Sequence, residues 1–324
     1  MLLRHGHHVT VLLEEPEEHY AALGATVAVG SPYKLPVVEE VLAGRETAVF
    51  FGTVAPNVLI PKRRDLLPYD RFRREAVRVL ISAALRQRTQ LLIVISTTGV
   101  YGNQGDRIVD EKTPVQAPKL LQSFVDMEEQ VREAGSFQGL RWLCLRIGMV
   151  YSARAWHTRE VFSLVSRGHA PPLGAERGYV SPVHAEDVAR AVEAAALRCP
   201  PNRVLNIVDD HPIRFGELLT AVAQHLGAKP PGAMPSFLLR LAIGKELYQV
   251  LKLSCRADNS LAKRLLGWRP RYPSILERLK DEIALWQSGP QMVKPAAEGK
   301  PEAAGGRPAG EPTSSGEGEH RGTA

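Results

Sequence analysis

Short apolar runs alternate with stretches of helical period along most of this chain. The runs are Val9–Leu13, Thr26–Val29, Thr47–Phe51, Leu91–Ile95, Leu140–Ile147 and Arg203–Val208. Between them lie Glu17–Leu23, Leu35–Ala43, Tyr69–Arg88, Leu120–Ala134 and Ala185–Leu197, whose apolar residues recur at the three- and four-residue spacing of a helix buried along one stripe. Strand and helix in repeated alternation predict an α/β fold around a parallel sheet. Leu91-Leu92-Ile93-Val94-Ile95 has no polar face, so helices should cover that strand on both sides.

The rhythm changes after Gly148. Residues 149–182 are richer in Arg, Gly and Pro, and residues 209–286 read as mostly helical with Pro-marked turns. Together they predict a smaller, mostly helical substrate lobe, interrupted where the chain returns to the sheet over residues 183–208. The larger domain is then 1–148 plus 183–208. From Gln287 the composition turns to Gly, Pro, Ala, Ser and Glu without apolar period, and residues 287–324 are expected to form a disordered tail.

Of the 324 residues, 44% are hydrophobic and 23% charged, the proportions of an ordinary globular protein. No apolar run approaches the length of a membrane-crossing helix, and the opening residues do not form a signal peptide. The net charge of +6 is dispersed: Lys62-Arg63-Arg64 sits beside acids and aliphatics, not among interleaved aromatics. That pattern points to a pocket for a small anionic substrate and away from nucleic acid, and without a spanning run no membrane partner is expected. Cys144, Cys199 and Cys255 are odd in number and far apart, which predicts free thiols in a reducing cytoplasm. His5, His7 and His8 have no acid or Cys to complete a ligand set; they read as a turn entering a strand, and no metal is expected.

Several segments carry chemistry. Arg4-His5-Gly6-His7-His8-Val9-Thr10-Val11 leads into a strand closed by Glu14, beside Glu15. Val27-Ala28-Val29-Gly30-Ser31 and Val49-Phe50-Phe51-Gly52-Thr53-Val54-Ala55 end in small residues, which suit close approach by a cofactor or simply tight packing. Ile95-Ser96-Thr97-Thr98-Gly99-Val100-Tyr101-Gly102 puts hydroxyls at the end of a strand, where α/β sheets place ligands. Tyr179-Val180-Ser181-Pro182-Val183-His184-Ala185-Glu186-Asp187-Val188-Ala189 puts acids at a helix start, where they oppose the dipole. Leu205-Asn206-Ile207-Val208-Asp209-Asp210 and the run from Arg256 to Pro270 complete the series.

In this order the segments resemble the extended short-chain dehydrogenase/reductase superfamily of the NAD-dependent epimerase/dehydratase type, over roughly residues 1–286. The resemblance implies a Rossmann-like, doubly wound parallel sheet that binds NAD, with NADP as the alternative. A carboxylate at Glu14 would accept from the adenosine ribose and repel a 2′-phosphate, unless it is a plain surface acid. Ser31 replaces the family's adenine-binding Asp; Gly52, Thr53, Val54, Ala55 and Ser96 line the cofactor. Thr97 falls at the catalytic Ser/Thr. Thr98, Tyr101, Tyr151, Arg177 and Arg256 are the substrate-binding candidates, Arg256 for a nucleotide-sugar diphosphate, while His184 packs at its junction. A homodimer through the helices Tyr69–Arg88 and Leu120–Ala134 is implied as well.

Two departures from the family pattern stand out. The Gly-rich phosphate loop belongs roughly 20 residues before the acid that closes the second strand. Counting back from Glu14 passes Met1, so the loop and the central first strand are expected upstream, leaving that strand's two neighbours unpaired. The family's Tyr-x-x-x-Lys pair, the usual proton relay, aligns with Leu120 and Phe124, which carry no proton; Lys119 and Ser123 are the nearby substitutes. The expectation is an atypical oxidoreductase acting on a nucleotide-sugar-like or other small anionic substrate. The alternative is a non-catalytic scaffold or regulatory protein on the same fold.

Overall fold

The computed structural model describes residues 1–53, 56, 58, 61–168, 178–198, 200–230, 232 and 235–289. Strands β1 (Thr10–Leu13) and β2 (Thr26–Val29) pair in parallel, Thr10 opposite Thr26. Strands β3 (Thr47–Phe51), β4 (Leu91–Thr97), β5 (Trp142–Ile147) and β6 (Arg203–Ile207) form a four-stranded parallel sheet in the order β6-β5-β4-β3. Among the described residues no ladder joins β1 to β3, so each keeps one edge unpaired.

Strand β4 shows why its sequence is apolar throughout. Side chains alternate across a strand: Leu92 and Val94 join Val38, Val77, Ile81, Met127 and Val131 on one face. Leu91, Ile93 and Ile95 face the other way, into a cluster with Val183, Ala191, Ala195, Leu266 and Trp268. All five of these β4 side chains are 0% exposed, each worth about 1.5–3 kcal/mol of transfer free energy. The expected doubly covered α/β sheet is therefore present.

A third cluster joins Tyr151, Phe162 and Val165 to Leu218, Leu219 and Val222 of the helix Phe215–Leu226 and to Ile275, Leu279 and Ile283 of the helix Ile275–Ser288. The stretch 209–286, read as one lobe, does not all join it: Ala262, Leu266 and Trp268 pack on the sheet instead. The final helix also runs through Gln287, beyond the expected start of the tail; residues 290–324 lie outside the described residues.

The helix expected over 69–88 starts earlier, at Arg63, and changes pitch. Arg63–Arg71 and Val77–Arg86 are α-helical, with a π-helical turn, Phe72–Ala76, between them. Such a turn widens the helix locally and is often found at functional sites; here it carries the buried Arg73.

Below the end of β4 runs a chain of buried polar contacts. Ser96 donates to Glu128 Oε1 at 2.6 Å, and Glu128 receives Arg146 through Nε at 3.0 Å and Nη2 at 2.6 Å. The Arg146 guanidinium lies 4.7 Å from the Tyr101 ring centre, and the Tyr101 hydroxyl donates to Asn206 Oδ1 at 2.8 Å. Helix Gln122–Gln138 is thereby tied to β4, β5 and β6. Both side chains of the ion pair are 3% exposed, and removing one partner strands the other charge without water. Glu128→Ala should cost about 3–5 kcal/mol in urea unfolding. Glu129→Ala, removing a half-exposed partner of Arg132, should cost under about 1 kcal/mol. Equal losses for the two variants would show that the buried pair is not what holds the helix.

Candidate functional site

The C-terminal ends of β1, β3 and β4 collect the polar candidates. Thr97 is the last residue of β4 and half-buried, and it caps the 3-10 turn Thr98–Tyr101. Its Oγ1 accepts the Gly99 N–H at 3.1 Å. The backbone thus takes a lone pair of this hydroxyl and leaves its proton to be donated elsewhere. The wall beside it is apolar. A Cβ placed on Gly99 would stand 3.4 Å from Thr97 Oγ1, 2.8 Å from Leu121 Cδ1 and 3.7 Å from Leu253 Cδ1. Leu120 lies in the 3-10 turn Lys119–Leu121 that opens the helix Gln122–Gln138.

Phe124, at the position of the family's lysine, is 7% exposed and has a cation on its face: the Arg73 guanidinium is 4.2 Å from its ring centre. Arg73 donates to the Gly52 carbonyl at 2.9 Å, to Ser123 Oγ at 2.7 Å and to Asp70 Oδ1 at 3.1 Å. Ser123 in turn donates to Asp70 at 2.6 Å, so the hydroxyl suggested as a substitute contact is already committed. Burial pulls the Arg73 guanidinium below its ordinary value while Asp70 opposes that shift. Sequence reasoning missed Arg73. It lies far from Phe124 in the chain and no local motif marks it; only the π-helical turn and the packing bring the two together.

Glu14 is exposed just past β1, and Ser31 is half-buried, its Oγ accepting the Tyr33 N–H at 3.4 Å. Tyr33 and Arg71 also gather at this corner, the Arg71 guanidinium 5.0 Å from the Tyr33 ring centre. Burial, followed by the charge on Glu14, raises the Tyr33 hydroxyl. Gly52 is buried because β4 demands it: a Cβ there would stand 2.7 Å from the Ile95 carbonyl. Thr53 is exposed, whereas Val54, Ala55 and Arg177 lie outside the described residues.

Four other candidates have side chains enclosed by protein. Ser96 is 0% exposed, because strand alternation turns it toward Glu128. Tyr101 is 0% exposed and spent on Asn206; burial pushes its hydroxyl up. Thr98 is 7% exposed under Cys255. Tyr151 is 4% exposed, edge-on to the His184 ring, and burial together with Asp209, Asp187 and Glu282 holds its proton on. These side chains shape the site from below and do not face a cleft.

Arg256 is half-buried, donating to the Asp106 carbonyl at 2.9 Å. Its guanidinium is 4.8 Å from the Tyr179 ring centre, and that of Arg214 is 4.3 Å from the same centre. Arg214 also meets the Asp106 carboxylate at 3.3 Å. Two cations therefore share one aromatic ring, only Arg214 meeting the Asp106 carboxylate, and Arg256 Nε has no hydrogen-bond partner among the described residues.

The chain has known relatives. A family model described as NAD(P)H-binding matches residues 1–197. The chain belongs to the NAD(P)H-binding family. An epimerase family protein of Mycobacterium tuberculosis (strain CDC 1551 / Oshkosh) is 31% identical over 201 residues, 62% of this chain and 66% of that protein; the chain thus spans just under two thirds of that relative. The 3-diazoavenalumate denitrifying reductase of a Streptomyces species is 26% identical over 287 residues, 86% of this chain and 92% of the reductase. Among solved structures, the UDP-glucose 4-epimerase of Thermotoga maritima with UDP-glucose superposes with a TM-score of 0.73 at 19% identity, covering 88% of this chain and 93% of the epimerase. A dTDP-glucose 4,6-dehydratase of Streptomyces venezuelae with NAD bound gives 0.72 at 17% identity, covering 86% and 87%. The fold is that of the epimerase/dehydratase enzymes.

The residues present suit the NAD(P) of this family. Glu14, exposed just past β1, would offer the cofactor's ribose an acceptor, and Thr97, at the end of β4, would offer a donor. Asp209, two residues past β6, is 1% exposed, with Oδ2 lacking a partner among the described residues. Burial first, then the charges of Asp210 and Asp187, raise its carboxyl from 3.8 to about 8. A group that binds its proton more tightly when folded contributes fully below its unfolded value, and the contribution is lost as pH climbs through the folded one. Relative to the native protein, Asp209→Asn should gain stability from about pH 4 to about pH 8 and level off above, in melts across that range. A difference independent of pH would mean that Asp209 is ionised throughout.

Proposed function

We propose that the protein is an NAD(P)-dependent oxidoreductase that acts in the cytoplasm on a small substrate with an anionic end and an apolar body. The observation that carries this reading is the Thr97 hydroxyl. It sits at the C-terminal end of a central parallel strand, oriented by the Gly99 N–H, and among the described residues it donates to no acceptor. The bound nicotinamide would supply or accept the hydride. Thr97 would hydrogen-bond the substrate oxygen on which charge develops, a role that needs placement but no change of protonation. Leu120, Leu121 and Leu253 would cover the substrate body and keep water from that side. With Leu120 and Phe124 in place of a proton-transferring pair, any proton taken up by the product comes from water at the mouth. Arg256, backed by Tyr179 and Arg214, would hold the anionic end. That end suits a nucleotide-sugar diphosphate or a carboxylate equally well, and the leucine wall favours a body less polar than a sugar. Cys144 and Cys255 are free and buried, which supports a reducing setting, and Cys199 lies outside the described residues.

The same Leu120 and Phe124 favour a second reading, a cofactor-binding scaffold without turnover. Oxidation of NADH or NADPH followed at its absorbance, in the presence of aromatic and sugar-nucleotide acids, separates the two: consumption of cofactor with a reduced product excludes the scaffold. Thr97→Val should then lower kcat about 10²–10³-fold with cofactor affinity unchanged. Arg256→Ala should act mainly on KM, raising it at least about tenfold, as loss of a charge-assisted contact would. A Thr97→Val protein with native kcat would remove this residue from the chemistry.

A further inference from the structure

The helix Ser236–Ile243 is apolar on both sides. Leu239 faces the protein at 6% exposed, while Phe237, Leu238 and Leu241 are 70%, 43% and 82% exposed. At the helical repeat, positions 237, 241 and 238 share one arc of the surface, continued by the exposed Ala242 and edged by the exposed Arg240. A surface helix of an ordinary globular protein carries charged or polar residues on that arc. The stretches of chain that flank the helix are basic. Lys229, Arg240, Lys245 and Lys252 are all exposed, and none enters a salt bridge among the described residues. The nearby acid, Glu246, is held by Arg63 at 3.1 Å. At Gly244, with φ 84, the chain turns into the helix Lys245–Leu251, and Leu253 beyond it reaches the Gly99 loop.

We propose that this face docks on the surface of an anionic lipid bilayer. Phe237, Leu238 and Leu241 would enter the interface while Lys229, Arg240, Lys245 and Lys252 meet the headgroups. Charge decides between occupants: a second copy of this chain would bring its own +6 against the same basic rim. No helix among the described residues is long and apolar enough to cross a membrane. The expectation that a membrane is no partner rested on spanning segments, and a helix that lies in the interface needs none.

Co-sedimentation of the full chain with lipid vesicles tests this, and it does not depend on cofactor binding or turnover. Vesicles of phosphatidylcholine containing about one-third phosphatidylserine should bind at least about tenfold better than phosphatidylcholine alone, less so as salt rises. Phe237→Ser with Leu241→Ser should cut that binding at least about tenfold with an unchanged melting temperature, since both side chains are exposed already. Arg240→Ala and Lys245→Ala should each weaken it roughly fivefold at low salt. Absence of binding, equal binding to neutral and anionic vesicles, or full binding by the double serine variant would overturn the proposal. So would a concentration-dependent dimer that the double serine variant dissolves, which would assign the face to a second copy.

Discussion

Two opposite charges with almost no water around them, Glu128 and Arg146, tie a helix to the middle of the sheet. A buried pair is costly to form from solvated ions, and its attraction offsets that cost only with good geometry and added hydrogen bonds. Two Arg146 nitrogens reach the two carboxylate oxygens and Ser96 donates to one of them, while Arg146 Nη1 has no hydrogen-bond partner among the described residues. The pair sets more than stability. With Ser96 drawn inward to Glu128, strand alternation puts the next residue, Thr97, on the opposite side and at the rim. On the other flank Tyr101 spans from Arg146 to Asn206, which fixes the loop after Thr97 against β6.

Above this buried frame the site differs from a standard proton-transferring one in a consistent way. At the positions of the family's tyrosine and lysine stand the apolar Leu120 and Phe124, and the cation stacked on the Phe124 ring is Arg73, paired with Asp70. A guanidinium in that setting can orient the Gly52 carbonyl at the tip of β3 but cannot shuttle a proton. The arrangement fits chemistry in which a hydroxyl steadies a developing charge and the protein supplies no proton.

Much of this was legible in the sequence. The apolar run of β4, its helical neighbours and the parallel order follow from periodicity, because a strand covered on both faces has no polar side to hide. Thr97 could be found from its spacing to Val100-Tyr101-Gly102. The glycine of that motif has a structural reason, since a Cβ there would collide with the Gln116 carbonyl. Ser96 and Tyr101 were read as ligand contacts because hydroxyls near a strand end look alike in a sequence. Whether each faces a cleft or the core depends on partners more than thirty residues away, such as Glu128 and Asn206. The π-helical turn that carries Arg73 was read as continuous helix, for the apolar period survives a single wider turn.

The sequence alone determined the layered α/β architecture, the strand ends where ligands gather and the absence of the tyrosine and lysine, because these are set by local period and by which residue types stand at given spacings. Tertiary structure alone decided which hydroxyl keeps its proton, where the buried cation sits, which arginines share Tyr179 and that Phe237 and Leu241 face outward. Each of these is a matter of which distant groups displace water from one another, and the chain's order does not record it.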